Sequence, residues 1–210
     1  MSGFPLSLYW APASPFVRKV MASAHALGLA DQIEILDSAA NPVERDYRIQ
    51  AFNPLARVPA ARSAEGLSLY DSRVICEYLD DLAAQSGGTR RLFPQGPARW
   101  QALRRQALAD GMIEAGLALR YESLLRPTEL QWPLWLEKQR EKLQDALGAM
   151  AVDIPQDDCA DIGAISMACA LGWLSFRFPD IAWRAAFPAL ALWAEAFDER
   201  PEMRATRPQA

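Results

Sequence analysis

Residues Leu8–Val20 read LYWAPASPFVRKV, and the periodicity changes in the middle of the run. Leu6-Ser7-Leu8-Tyr9-Trp10 alternates and is rich in strand formers. From Pro15 onward Phe16, Val17, Val20, Met21, Ala24 and Leu27 recur at helical spacing. Ser14 stands at the junction as an N-cap, and Pro15 follows where a missing N–H costs the helix nothing. Gly28 reads as the glycine just past the helix end. A second apolar run, Ile33-Glu34-Ile35-Leu36, suits a parallel strand reached by a right-handed crossover. The segment therefore predicts a βαβ unit.

Working outward, a short helix is expected around Val43 to Gln50. Asn53 to Ala61, NPLARVPAA, holds two prolines and excludes a helix. Ala60 to Ser63 and Leu67 to Tyr70 read as a hairpin about Ala64-Glu65-Gly66. Asp71-Ser72 opens a helix with Val74, Ile75, Tyr78, Leu79 and Leu82 on one face. The order so far is βαβαββα. Residues 84–97, AQSGGTRRLFPQGP, collect Gly, Pro, Ser and Thr and read as a linker. It separates a first domain, 1–83, from a second, 98–210, predicted to be all-helical. Helices are expected over about 98–125, 133–150, 160–176 and 189–198, with prolines between them. The predicted fold class is α/β plus all-α.

The 210 residues are 51% hydrophobic and 23% charged, which supports a substantial core. A net charge of −4 leaves no basic surplus for phosphates, so nucleic acid is not an expected partner. Three scattered cysteines, Cys76, Cys159 and Cys169, do not make a disulfide framework and fit a reducing compartment. His25 is the one histidine and reads as structural or exposed; no metal site is expected. MSGFPLSLYW lacks the form of a signal peptide, and no apolar run reaches bilayer length, so the expectation is a soluble, cytoplasmic chain without membrane association. Arg90-Arg91 and Arg104-Arg105 read as solvated pairs or as part of a dimer surface.

Three places could carry chemistry. Ser14 is explained by capping alone, yet the same helix N-terminus also offers unpaired N–H groups and partial positive charge to a thiolate. Lowering a thiol from about 8.5 by about two units takes roughly 2.7 kcal/mol. A hydrogen bond to a charged acceptor supplies about 1.5–3 kcal/mol and a helix terminus about 0.3–1. One hydroxyl and one helix therefore suffice. At Val58-Pro59, a cis bond would turn the Val58 backbone toward an extended peptide ligand. Asp71-Ser72 caps a helix and also offers an acceptor for an ammonium and donors for a carboxylate.

SPFVRKV, NPLARVPA and LYDSRVICEYL, in that order ahead of a helical half, resemble the glutathione S-transferase superfamily, closest to bacterial members with serine or cysteine at the position of Ser14. The resemblance implies a thioredoxin-like first domain, a helical second domain, a homodimer, and glutathione as substrate or cofactor. It places Ser14 beside the glutathione sulfur, Val58 with cis-Pro59 on the cysteinyl backbone, Asp71 and Ser72 on the γ-glutamyl end, and Arg57 near the glycyl carboxylate. Ala56 stands where the family commonly has glycine. Asp158-Cys159-Ala160-Asp161-Ile162 resembles the family's helix capping box, with Asp158 in place of Ser or Thr. Met112 and Tyr121 on the long helix are candidates to line the pocket of a small hydrophobic electrophile. Conjugation, a glutathione-dependent isomerase or lyase, and a non-catalytic binding protein all remain open at this stage.

Overall fold

The computed structural model describes residues 5–156 and 160–208. The chain divides into two compact units, one comprising Met1–Gln95 and Arg200–Ala210, the other Gly96–Glu199.

In the first unit the strands are β1 (Leu6–Trp10), β2 (Ile33–Asp37), β3 (Ala60–Ser63) and β4 (Ser68–Leu69), in sheet order β2-β1-β3-β4. β1 pairs in parallel with β2, Leu8 opposite Ile35, and antiparallel with β3, Tyr9 opposite Ala60. β3 pairs antiparallel with β4, Ala61 opposite Leu69. Alternation along β1 divides its side chains between two faces. Tyr9 packs with Ile49 and Ala60 on one of them, joined by Leu36, Phe52 and Val58. Leu6 and Leu8 are fully buried on the other. Helix α1 (Pro15–Ala26) starts at the Ser14 cap and gives way to Gly28 at φ +72°, a left-handed conformation that glycine adopts without penalty. α1 packs against α3 (Ser72–Gln85).

Between them α2 is one turn, Tyr47–Gln50, shorter than the expected 43–50. The Asn41 side chain accepts from the N–H groups of Val43 and Glu44, which holds the chain in a turn there, and Asp46 then caps the helix. β4 is likewise shorter than the predicted Leu67 to Tyr70. Leu67 closes the turn onto the Ser63 backbone, and Tyr70 leads into the cap of α3.

Residues 84–97 are not a free linker. α3 runs to Gln85, and Leu92 and Phe93 are buried in the first unit. Asp80, itself 1% exposed, accepts from the Leu92 N–H at 2.5 Å and pairs with Arg91 at 2.8 Å. The arginine pairs are also more engaged than their sequence suggests. Arg90 bonds Glu202, while Arg104 and Arg105 both pair with Asp153.

The second unit contains α4 (Pro97–Leu125), α5 (Pro133–Val152), α6 (Ile162–Arg177), α7 (Trp183–Ala186) and α8 (Pro188–Asp198). Every residue from Ile162 to Leu171 is buried, so α6 is the central helix of this unit. Glycine permits its contact with α4: a Cβ on Gly163 would lie 2.7 Å from the Ala102 carbonyl, and one on Gly116 would lie 2.6 Å from the Trp173 ring. α6 is capped by Asp161, whose carboxylate accepts from the Ala164 N–H at 2.8 Å. The expected cap residue is Asp158 instead, and it lies outside the described residues.

The last segment departs from the sequence reading, which put all of 98–210 in the helical domain. α9 (Pro201–Arg204) returns to the first unit and packs on α1. Arg18 donates to the Met203 carbonyl at 3.2 Å. Glu202, 5% exposed, is held by Arg90 at 3.1 Å and Arg200 at 3.0 Å. Burial alone would raise its carboxyl, but a backbone N–H and these two arginines outweigh it and keep the group below the usual carboxylate range.

Candidate functional site

Strand register brings the three segments together. Ser14 follows the C-terminal end of β1. Because β3 is antiparallel to β1, Val58-Pro59 lies just before β3 at that same end. β4 is antiparallel to β3, so Asp71 and Ser72 follow β4 there too. One end of the sheet therefore collects two helix N-termini and one irregular backbone segment.

Ser14 is half-buried, with extended backbone at φ −83°, ψ 120°. Its Oγ accepts from the Val17 N–H at 3.3 Å. Capping uses the oxygen as acceptor and leaves the hydroxyl proton available. Among the described residues that proton has no acceptor in the chain. Capping and thiol recognition are thus compatible roles for one side chain.

The segment before β3 is shaped by Asn53, which is 3% exposed. Its amide donates to the Arg57 carbonyl at 2.9 Å and accepts from the Leu55 N–H at 3.0 Å. Ala56 sits at φ +52°, a left-handed conformation that disfavours residues with a Cβ. Val58–Pro59 is cis. Among the described residues neither the N–H nor the C=O of Val58 has a hydrogen-bond partner, so both are open to an extended ligand. Arg57 is exposed, and its guanidinium pairs with no described residue.

Asp71 caps α3 across a second cis peptide, Tyr70–Asp71. Its carboxylate is not an open acceptor. Arg73 donates to it from the backbone N–H at 3.0 Å and from Nη2 at 2.7 Å. Burial pushes the Asp71 carboxyl up. The Arg73 side-chain and backbone bonds, with the charges of Arg73 and Lys19, overcome that push and hold it below the usual range. A bidentate partner still leaves a carboxylate lone-pair capacity for an ammonium. Ser72 is 2% exposed and is the first residue of α3, so the group it presents is its helix-terminal N–H.

Sequence reasoning missed Arg73, Lys19 and Asn53. Lys19 is 1% exposed, with Nζ 5.6 Å from the Phe16 ring centroid. A lysine between the inward-facing Val17 and Val20 was its available signal. The two residues predicted to line the electrophile pocket belong to the second unit and differ from each other. Met112 is 2% exposed and Tyr121 is 40% exposed. Cys76 and Cys169 are buried and outside any disulfide among the described residues, and His25 is exposed. Among the described residues no group of three or more His, Cys, Asp or Glu could hold a metal ion, and no helix is long and apolar enough to cross a membrane.

Residues 13–82 match the family model for the glutathione S-transferase N-terminal domain, and residues 133–196 match the C-terminal domain model. The chain is 32% identical over 200 residues to the GST-like protein YibF of Escherichia coli (strain K12), covering 93% of this chain and 95% of that one. It is similar to the crystal structure of a glutathione transferase family member from Pseudomonas fluorescens Pf-5 with bound glutathione: TM-score 0.91, 43% identity, 98% of this chain and 100% of that one. A second structure from that organism, with bound S-(propanoic acid)-glutathione, gives TM-score 0.87 and 42% identity, covering 97% and 100%. By sequence along nearly its whole length and by fold, the chain belongs to the glutathione S-transferase superfamily.

Proposed function

We propose that this protein is a glutathione transferase in which Ser14 faces the glutathione sulfur. The observation that carries the reading is the Ser14 hydroxyl, fixed by the Val17 N–H and still holding a proton to donate, at the sheet end where Val58 leaves its backbone unpaired. Glutathione's cysteinyl backbone pairs with Val58 in the manner of an added strand. Its γ-glutamyl ammonium approaches Asp71, its γ-glutamyl carboxylate takes the N–H groups opening α3 at Ser72, and Arg57 answers the glycyl carboxylate. The thiol loses its proton to solvent. The thiolate, held by the Ser14 O–H and the α1 terminus, attacks an electrophilic carbon, the new C–S bond forms, and the leaving group departs with its electron pair. The second substrate is a small hydrophobic electrophile, with Met112 and Tyr121 the candidates to contact it. The Pseudomonas fluorescens relative holds glutathione carrying a propanoic acid on sulfur, which favours conjugation over isomerisation.

The test is conjugation of an aryl halide with and without Ser14→Ala, alongside calorimetric titration with glutathione. Turnover that falls while glutathione still binds supports the reading; equal turnover removes Ser14 from the chemistry. Glutathione binding with no turnover of an electrophile panel would favour a binding protein.

A homodimer is part of the proposal. Val74 on α3, 47% exposed, and Trp100 on α4, 70% exposed, are apolar surface that a second copy would cover, and sedimentation tests it. Cysteines buried outside any disulfide, Cys76 and Cys169, fit a reducing cytoplasm.

A further inference from the structure

The connection from α4 to α5 leaves six large apolar side chains in the open. Leu124 and Leu125 end α4, Leu130 closes a 3-10 turn over Thr128–Leu130, and Trp132, Leu134 and Trp135 stand at the start of α5. All six are between 41% and 62% exposed. Hydrogen bonds tie the two helix ends into one tip. Glu122 accepts from the Trp132 N–H at 3.1 Å, and the Gln131 amide donates to the carbonyls of Ser123 at 3.0 Å and Arg126 at 3.1 Å.

The tip also satisfies much of its own backbone. Pro127 and Pro133 carry no N–H, while Leu130 and Gln131 donate to the Pro127 and Thr128 carbonyls. Backbone paired internally can leave water at little cost, a condition for entering a lipid interface. The charges leave no cationic surplus to attract an anionic surface: Arg126 pairs with Glu122 at 2.8 Å, and Glu129 forms no ion pair among the described residues. The open apolar surface is on the order of 500 Å², typical of the largest patch on a monomer and short of the about 800 Å² that each partner gives a stable protein interface. Tryptophan, apolar in body with one N–H to offer, favours the headgroup level of a bilayer. Trp132 and Trp135 stand three residues apart at the start of α5, on one side of it.

We infer that the α4–α5 tip docks on a zwitterionic phospholipid surface, with Trp132 and Trp135 at headgroup level and the four leucines against the acyl boundary. The contact is peripheral, because among the described residues no helix is long and apolar enough to cross a membrane, and the Glu129 charge holds the tip at the interface. This departs from the sequence expectation of no membrane association. It lies wholly in the helical unit and does not depend on glutathione turnover.

The test mixes the full chain, without glutathione, with vesicles of pure phosphatidylcholine. Flotation measures binding, and hydrogen exchange read by mass spectrometry locates it. The expected result is saturable flotation, slowed exchange in peptides spanning 124–136 alone, and at least tenfold weaker binding in the Trp132→Gln/Trp135→Gln double variant. Absence of flotation, protection confined to other segments, or a double variant that floats like the parent would overturn the inference. Phosphatidylglycerol vesicles that bind at least tenfold more tightly, and release the chain in high salt, would overturn it in favour of a charged surface. A parent that does not float, with a sedimentation mass that halves in the double variant, would assign the tip to a second copy instead. The exchange measurement needs no variant, so a misfolded substitution cannot obscure the answer.

Discussion

Helices α1 and α6 each start on a side chain that accepts from the backbone N–H three residues on: Ser14 from Val17 at 3.3 Å, Asp161 from Ala164 at 2.8 Å. An ionised aspartate can only accept, so its whole capacity goes to holding the helix. A serine hydroxyl accepts and still has a proton to give. The surroundings match the difference. α6 runs buried from Ile162 to Leu171 and is pressed against α4. α1 opens at a sheet end where, among the described residues, the Val58 backbone and the Arg57 guanidinium have no partner. The same local motif spends its whole capacity on the helix in one unit and keeps a proton to donate in the other.

That contrast can be attacked in order of effect. Ser14→Ala should lower conjugation about a hundredfold, of order 2.7 kcal/mol in transition-state stabilisation, and cost stability only about 0.5–1 kcal/mol as a lost cap. Steady-state rates and urea titrations on the same samples separate the two. Gly163→Ala should destabilise the protein by about 2 kcal/mol, because the new methyl meets the Ala102 backbone rather than a movable side chain. Chemical denaturation reads this directly, and an unchanged midpoint would mean that α4 and α6 stand farther apart than described. Asp161→Ala should cost about 1 kcal/mol while leaving turnover per folded molecule unaltered, the mirror image of Ser14→Ala. Smallest is Ala56→Gly, which should stabilise by about 0.5 kcal/mol: relief of a left-handed alanine, about 1–2 kcal/mol, offsets the added glycine freedom of about 0.5–1. A lowered melting temperature would show that the Ala56 methyl contributes more than its backbone costs.

Much of this was legible locally. Alternation gave β1 from Leu6 to Trp10, and the Asp71-Ser72 signal opened α3 at Ser72. Helical spacing with Pro and Gly punctuation bounded α1, and the matching dipeptide signals pointed to the residues now collected at one sheet end. What escaped the reading was set by distance along the chain or by competition for a partner. Arg18 finds Met203 across 185 positions, which no periodicity reports. Arg73 takes the Asp71 carboxylate two residues away, and a cap motif does not say who else shares the cap. Residues 84–97 have a linker's composition, yet Asp80 binds Leu92 and Arg91 and draws the segment inward. Met112 and Tyr121 share a helix, and only the packing of α4 against its neighbours made one interior and the other exposed.

The return of α9 has a consequence for synthesis. Glu202 and the Met203 carbonyl, which clasp Arg90 and Arg18, are translated after the whole of Gly96–Glu199. On the ribosome the first unit must wait, with Arg18 and Arg90 lacking these partners, until the helical half has emerged. A fragment cut at Gln95 would carry that waiting state permanently.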